Sequence, residues 1–400
     1  MGSSPVGSRL VAVRWGMLST ARINELVLAG ARRSDGVQIV SVGSRDRARA
    51  EAYAREQGLE RAHGSYQELI GDPDIEAVYI SLPNASHIEW STRALRAGKH
   101  VLCEKPLTRH VREAEEIFDV AQQEGRLLME GFMWRHNPQV QRLDELIADG
   151  AIGKLRLIRA VHSFTADDPR DIRLLTELDG GSLMDVGCYC VHASRHLAGE
   201  PERVYGEAVR NEAGADVRFV GIMIFPGGIV SQVTSGLDVP EIHELEVIGD
   251  AGSLFLSDPW HGWTAPQIEV RTDEGSERIS LHPSDPYRLE LENLSAAILG
   301  ETNPLLGRED AVAQARALEA LFASADRGEP GAARRTAYAA SVAPSAAGTS
   351  TLRLRRRTRR RIARISAGSV NARPSSKIDA IRSSEASAFT SGVIPYLICV

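Results

Sequence analysis

Short apolar runs alternate with longer amphipathic stretches through the first 130 residues. The runs Leu10–Leu18, Val37–Val42, Ile75–Leu82, His100–Cys103 and Arg126–Met129 have the length and the Val, Ile and Leu content of buried strands. Between them, 21–33, 45–57, 87–97 and 110–124 each allow about three helical turns. Gly58, Gly98 and Gly125 stand where glycine commonly ends a helix. Strand and helix in this rhythm predict an α/β unit, a doubly wound parallel sheet with crossover helices. From about Asn137 the pattern changes. A helix through Ala148, a strand over Leu155–Phe164 and a helix over Gly181–Leu197 lead into alternating runs (ADVRFVGIMIF, GIVSQVTSGL, HELEVIG, GSLFLS) separated by Gly-rich turns. These predict a second, α+β domain built on a large, mostly antiparallel sheet, closed by helices over 287–299 and 308–324.

Composition agrees with a folded chain: of 400 residues, 43% are hydrophobic and 25% charged. Cys103, Cys188, Cys190 and Cys399 are too few and too irregular for a disulfide framework, and the C-x-C pair lacks the spacing of a zinc or thioredoxin motif. A reducing, cytoplasmic setting is expected, with no secretion signal and no apolar run near the ~18 residues that span a bilayer. The net charge of −6 conceals a split. Residues 331–400 hold twelve Arg and one Lys against Asp379 and Glu385, a net +11 that leaves −17 on residues 1–330. The acidic body is not expected to bind nucleic acid, because phosphates would repel it. The tail loses all periodicity and is expected to be disordered. We read it as an altered reading frame or lost stop rather than as a polybasic arm, which 352–364 would also allow.

Candidate chemistry lies at strand ends. The turn after the first strand reads Gly16-Met17-Leu18-Ser19-Thr20-Ala21-Arg22-Ile23-Asn24, so Ser19, Ala21 and Asn24 stand where a dinucleotide turn has glycines. Backbone N–H groups at this helix start would face a pyrophosphate. The second strand ends in Ser44 and Arg45. A hydroxyl and a guanidinium there suit a 2′-phosphate, whereas an acid would suit a free ribose hydroxyl, so NADP is expected, with NAD possible. The fourth strand runs into Glu104-Lys105-Pro106, which aims Lys105 at the ligand crevice. If 181–197 is helical throughout, Asp185, Tyr189, His192 and His196 share one face. Tyr189 could move a proton, and an ammonium such as Lys105 would stabilise its phenolate. His192 and His196 have zinc-like spacing, but no glutamate lies between them and no third ligand is evident, so no metal is expected.

These motifs resemble the glucose-fructose oxidoreductase / inositol dehydrogenase / rhizopine catabolism (Gfo/Idh/MocA) family of NAD(P)-dependent oxidoreductases. The resemblance spans roughly residues 12–330. It rests on the first turn, the loop Leu82-Pro83-Asn84-Ala85-Ser86-His87, EKPLT at 104–108, EGFMWRHNPQ at 130–139 and GGSLMDVGCYCVH at 180–192. It implies a Rossmann dinucleotide-binding domain over 1–136 and a substrate-binding and dimerisation domain over 137–330. It also implies catalysis by Lys105 and Tyr189, with Asp185 on the sugar hydroxyls. The implied cofactor contacts are Ser19, Thr20, Ala21, Arg22, Ile23, Ser44, Arg45, Leu82, Pro83, Asn84, His87, Glu104, Lys105, Trp134 and Arg135. The expected reaction is hydride transfer between a sugar or cyclic polyol hydroxyl and NADP. The alternatives are a trans-dihydrodiol dehydrogenase and a non-catalytic NADP-sensing regulator. Trp260, His261 and Trp263 cluster in a loop that would form a substrate wall, cap the sheet or meet a second subunit. An open sheet with helices on one side calls for a partner sheet, so a homodimer or homotetramer is expected, joined through strands between about Val204 and Val270.

Overall fold

The computed structural model describes residues 12–263 and 265–327. Its first sheet is six-stranded and wholly parallel, in the order β3-β2-β1-β4-β5-β6, from strands β1 (Val13–Leu18), β2 (Val37–Gly43), β3 (Arg61–His63), β4 (Ala77–Ile80), β5 (His100–Glu104) and β6 (Leu128–Gly131). The crossovers are α1 (Asn24–Ala31), α2 (Arg47–Gln57), α3 (Tyr66–Ile70), α4 (His87–Arg96) and α5 (Val111–Gln123). Strand order reverses between β1 and β4, which opens a crevice at their carboxyl ends. The pair β3 and α3 had no signal in the sequence, because Arg61–His63 is three residues long and neither buried nor strongly apolar. α2 begins at Arg47 rather than Arg45, because the Asp46 carboxylate accepts the Arg49 N–H at 3.1 Å and caps it.

α6 (Pro138–Ala148) leads to a second, eight-stranded sheet, β14-β13-β12-β11-β7-β10-β9-β8. Its strands are β7 (Leu155–Thr165), β8 (Arg203–Arg210), β9 (Asp216–Ile224), β10 (Val230–Gly236), β11 (Asp238–Gly249), β12 (Ser253–Leu256), β13 (Gln267–Thr272) and β14 (Gly275–Ser280). Only β7 and β10 run parallel. The β13–β14 hairpin escaped the hydrophobic pattern, since its residues are charged and β14 is almost wholly exposed. On β9, Phe219 and Met223 are buried under helices while Val220 and Ile222 face out; Ile222 sits opposite exposed Tyr205 on β8. One face of this sheet is therefore covered and the other presents apolar side chains.

α7 (Cys188–Ala198), α8 (Pro286–Ile298) and α9 (Arg308–Arg327) complete the body. α8 packs on α1 of the first sheet, where Trp15 Nε1 donates to Ser295 Oγ at 3.2 Å. The expected single helix over 181–197 is instead a π-turn, Leu183–Gly187, followed by α7. Its extra residue per turn shifts Asp185 relative to Tyr189, His192 and His196, which all lie on α7. Asp185 and Tyr189 face a cavity, whereas His192 meets Asp310 at 2.9 Å and His196 meets Asp144 at 2.9 Å. Burial pushes His192 down to about 4. No helix among the described residues is long and apolar enough to cross a membrane. The expected disorder of 331–400 falls outside the described residues.

Candidate active site

The turn after β1 does its work without glycine. Ser19 holds a positive φ of 119°, costly for a residue with a Cβ, and a buried polar network fixes it there. Asn24 Nδ2 donates to the Ser19 carbonyl at 2.9 Å, Ser81 Oγ donates to Asn24 Oδ1 at 2.6 Å, and the Ser19 and Ser81 hydroxyls lie 2.8 Å apart. Asn24 thus ties β1 to the end of β4. The Ala21 N–H is held by Ser19 Oγ at 3.1 Å.

A cleft of about 550 Å³ opens over this turn. Ser19, Thr20, Ala21 and Arg22 form one side, Ser44 and Arg45 another, and Leu82 and Pro83 a third. Arg49 and Tyr66, which sequence reasoning passed over, also border it. Arg49 projects from α2 one turn beyond Arg45, so two guanidinium groups flank the end of β2. The only acid there, Asp46, is engaged in capping α2. This donor set fits a dinucleotide with a phosphorylated ribose.

Beyond Ser81 and Leu82 the cleft narrows into a cavity of about 20 Å³ bordered by Ile23, Asn84, His87, Glu104, Lys105 and Asp185. Buried His87 lies 2.8 Å from the Leu82 carbonyl and 2.9 Å from that of Pro106. Burial lowers its pKa, and one ring nitrogen faces each carbonyl. Glu104 accepts the Tyr79 hydroxyl at 2.5 Å and the Lys105 N–H at 3.2 Å; burial raises its pKa above the usual carboxyl range. His87 and Glu104 thus hold the Lys105-Pro106 segment from both sides.

A third cavity, about 30 Å³, continues on the far side of Lys105 and Asp185. Tyr189, 4% exposed, lies on its wall, and Lys105 Nζ sits 4.9 Å from the centre of the phenol ring. Lys105 Nζ donates to the Asp185 carbonyl at 2.7 Å and lies 3.4 Å from its carboxylate. Arg173 Nε is 3.0 Å from the other oxygen of Asp185, an ion pair rather than an aligned hydrogen bond. Arg173 reaches it because Gly180 and Gly181 let the chain press close. A Cβ at Gly180 would come within 2.5 Å of the Arg173 carbonyl, and one at Gly181 within 2.1 Å of Asp216 Oδ1. Asp216 in turn accepts the Ser182 hydroxyl and the Leu183 N–H, both at 2.8 Å, and so anchors the π-turn that carries Asp185.

His162, Phe164, His243, His261 and Tyr287 complete this wall. The His162 ring stacks on Trp260 at 5.6 Å, and its Nδ1 is buried without a hydrogen-bond partner among the described residues. A polar atom in that state is stabilised by a bound hydroxyl. Arg173, His162, His243 and Tyr287 were not singled out from sequence, since they come from a short turn, β7, β11 and α8. Of the Trp260, His261 and Trp263 group, His261 borders the cavity, Trp260 is buried behind it, and Trp263 packs toward Tyr287 at 6.1 Å.

Trp134 and Arg135 lie apart from these walls: neither borders the cleft or the two smaller cavities. Trp134 is 1% exposed and meets His192, His196 and Trp260 edge-on. Arg135 is half-buried, its guanidinium carbon 5.8 Å from the centre of the Trp134 ring. The short helical turn Met133–His136 after β6 thus places Trp134 in the core with Arg135 beside it.

Two family models match the chain: the oxidoreductase family with NAD-binding Rossmann fold over residues 13–132, and the GFO/IDH/MocA C-terminal domain over 140–255. The chain is 36% identical over 321 residues to D-xylose 1-dehydrogenase (NADP(+)) 2 of Haloferax volcanii, covering 78% of this chain and 98% of that protein. It is 32% identical over 272 residues to trans-1,2-dihydrobenzene-1,2-diol dehydrogenase of Bos taurus, covering 65% and 78%. Among solved structures it is similar to KijD10, a 3-ketoreductase from Actinomadura kijaniata in complex with NADP and TDP-benzene. The TM-score is 0.75 at 29% identity, over 78% of this chain and 98% of that one.

Proposed function

The chain belongs to the Gfo/Idh/MocA family of NAD(P)-dependent oxidoreductases, and from that premise we propose that it moves a hydride between NADP and a hydroxyl-bearing carbon of a sugar or cyclic polyol. One observation carries this reading: Lys105 and Asp185 border both the cavity that continues the nucleotide cleft and the cavity that contains Tyr189. Reacting atoms from the two sides can meet only there.

In this reading residues up to 136 hold the nucleotide and 137–330 present the substrate. Tyr189 takes the proton of the substrate hydroxyl in oxidation and returns it in reduction. Lys105, its ammonium against the phenol ring, stabilises negative charge on both the phenol and the substrate oxygen. Asp185 is held between Lys105 and Arg173 and accepts a neighbouring substrate hydroxyl. Arg45 and Arg49 face the 2′-phosphate and favour NADP over NAD. A cavity of ~30 Å³ holds about two waters, so the substrate enters only after the wall moves outward.

A second reading, oxidation of a trans-dihydrodiol, is favoured by the rings of Phe164, Tyr189 and Tyr287 on the same wall. Reduced-nicotinamide absorbance decides between the two, with aldoses, cyclitols and a trans-dihydrodiol each tested with NADP and NAD. Turnover of an aldose or cyclitol supports the first reading, and turnover confined to the dihydrodiol supports the second. Binding of NADP with no turnover across the panel would leave a sensor, and absence of binding would remove the family's activity from this chain. We further propose that the apolar sheet face bearing Tyr205, Val220 and Ile222 is covered by a second copy, making a homodimer or homotetramer, and that the protein works in the cytoplasm.

A further inference from the structure

Three clustered side chains, two of them on the wall of the Tyr189 cavity, have no part in the proton or nucleotide chemistry above. His243 comes from β11, and Asp258 and His261 come from the loop after β12. One ligand atom of each lies within 4.8 Å of the other two. The tightest pair is His261 Nδ1 with Asp258 Oδ1, 3.2 Å apart, and the two histidine rings are 5.6 Å apart and tilted by 41°. Both histidines are buried, at 9% and 8% exposure. Glu241 adds a further carboxylate 3.6 Å from His243 Nε2.

The loop that carries two of the three is braced. Asn137 Nδ2 donates to the His261 carbonyl at 2.9 Å, and Gln139 Nε2 donates to that of Asp258 at 3.0 Å. Gly262 follows with φ 67°, where a Cβ would come within 2.1 Å of Asn137 Nδ2. The start of α6 thus holds the Asp258–His261 pair against β11 in one conformation. That is the rigidity a ligand set needs.

We propose that His243, Asp258 and His261 form a site for one divalent transition-metal ion of the zinc class, with its open position toward the Tyr189 cavity. Tetrahedral ligands at about 2.0–2.2 Å from zinc stand roughly 3.3–3.5 Å apart. The Asp258–His261 pair is already at that spacing, and a displacement of about 1 Å closes the rest. Two imidazoles and one carboxylate favour Zn²⁺ or Co²⁺ over Mg²⁺ or Ca²⁺, which prefer all-oxygen shells. Three protein ligands leave a fourth position, the pattern of sites that bind water or substrate. His243 and His261 border the same cavity as Lys105 and Tyr189, so that position opens to where a substrate hydroxyl would lie. This ion site is separate from the His192–His196 pair, whose nitrogens are held by Asp310 and Asp144.

The test uses the full chain, stripped with a chelator and titrated with Co²⁺, whose tetrahedral complexes absorb visibly far more than the aqueous ion. One equivalent per chain with a tetrahedral spectrum is expected, displaced by one equivalent of Zn²⁺. His243→Ala and Asp258→Asn should each weaken Zn²⁺ at least 10-fold in competition with a chromophoric chelator. His192→Asn should leave it unchanged. Retained NADP binding and circular dichroism show that each variant is folded; if His243→Ala is not, the partly exposed Asp258→Asn carries the test. No tetrahedral spectrum, or Zn²⁺ affinity unaffected by Asp258→Asn, would overturn the proposal. The readout is the bound metal, so the result stands whichever substrate the enzyme turns over.

Discussion

The nucleotide cleft and the Tyr189 cavity meet at Lys105 and Asp185 yet are built in opposite ways. The cleft is made by turns at the ends of neighbouring strands, each turn contributing a few consecutive residues, and it stands open at about 550 Å³. The cavity is made by side chains from the end of β5, β7, the turn at Ile172–Leu174, the π-turn, α7, β11, the loop after β12 and α8, and measures about 30 Å³. A surface assembled from consecutive residues survives the exchange of glycine for serine or asparagine, because a local polar network can hold the same turn. A pocket assembled from distant segments depends on every packing contact behind it. In the proposed reading, substrate specificity therefore lies with the cavity and cofactor choice with the cleft.

The largest effect expected from this division is at Tyr189. Tyr189→Phe keeps the ring against Lys105 and removes only the hydroxyl, so turnover should fall about 10²-fold or more, roughly 2.7 kcal/mol of barrier. NADP affinity should be unchanged by fluorescence titration. Wild-type turnover would take Tyr189 out of the chemistry, and a parallel loss of NADP affinity would show that the two regions are not separable.

Next in size is Arg45→Ala, expected to raise KM for NADP about 10-fold and for NAD very little, since only NADP carries the 2′-phosphate. Steady-state kinetics with both cofactors measure it. Equal changes would mean that Arg45 is a solvated helix residue.

A smaller effect concerns the floor between the two regions. Glu130, at the end of β6, accepts the Leu107 N–H at 2.7 Å and is pushed up to about 8 by burial. A carboxyl whose folded pKa is raised favours the native state while it stays protonated there. That contribution is fully present below about pH 4.5 and is lost as pH rises through about 8. Glu130→Gln, which keeps the acceptor, should match wild type in denaturant midpoint near pH 4.5 and exceed it by about 1 kcal/mol or more at pH 8. A constant difference across that range would show that Glu130 ionises freely in the fold.

The smallest effect is expected from the tail. Truncation after Pro330 should change neither activity nor the number of chains in the assembly, measured by sedimentation, because both regions and the apolar sheet face lie within residues 12–327. An inactive or monomeric truncated protein would tie the basic tail to the assembly.

Much of this protein was written locally. Strands β1, β2, β4, β5 and β6 appear where Val, Ile and Leu concentrate, and the Gly58 end of α2 where a left-handed residue is required, since these features depend on neighbours a few residues away. Ser19, Arg45 and Lys105 could be placed because strand ends in a parallel sheet have one possible outlook. Tertiary structure decided the rest. Nothing local in the sequence calls for a π-turn at Leu183–Gly187, which shifts Asp185 relative to the residues of α7; Asp216, 33 residues on, anchors it. Trp134 is buried by a short helical turn after β6, and Arg135 lies half-buried over its ring. Arg173, His162, His243 and Tyr287 joined the cavity only when the second sheet and α8 closed over Lys105. Periodicity reports which face of an element is buried, but which distant side chains share that burial depends on how the elements pack.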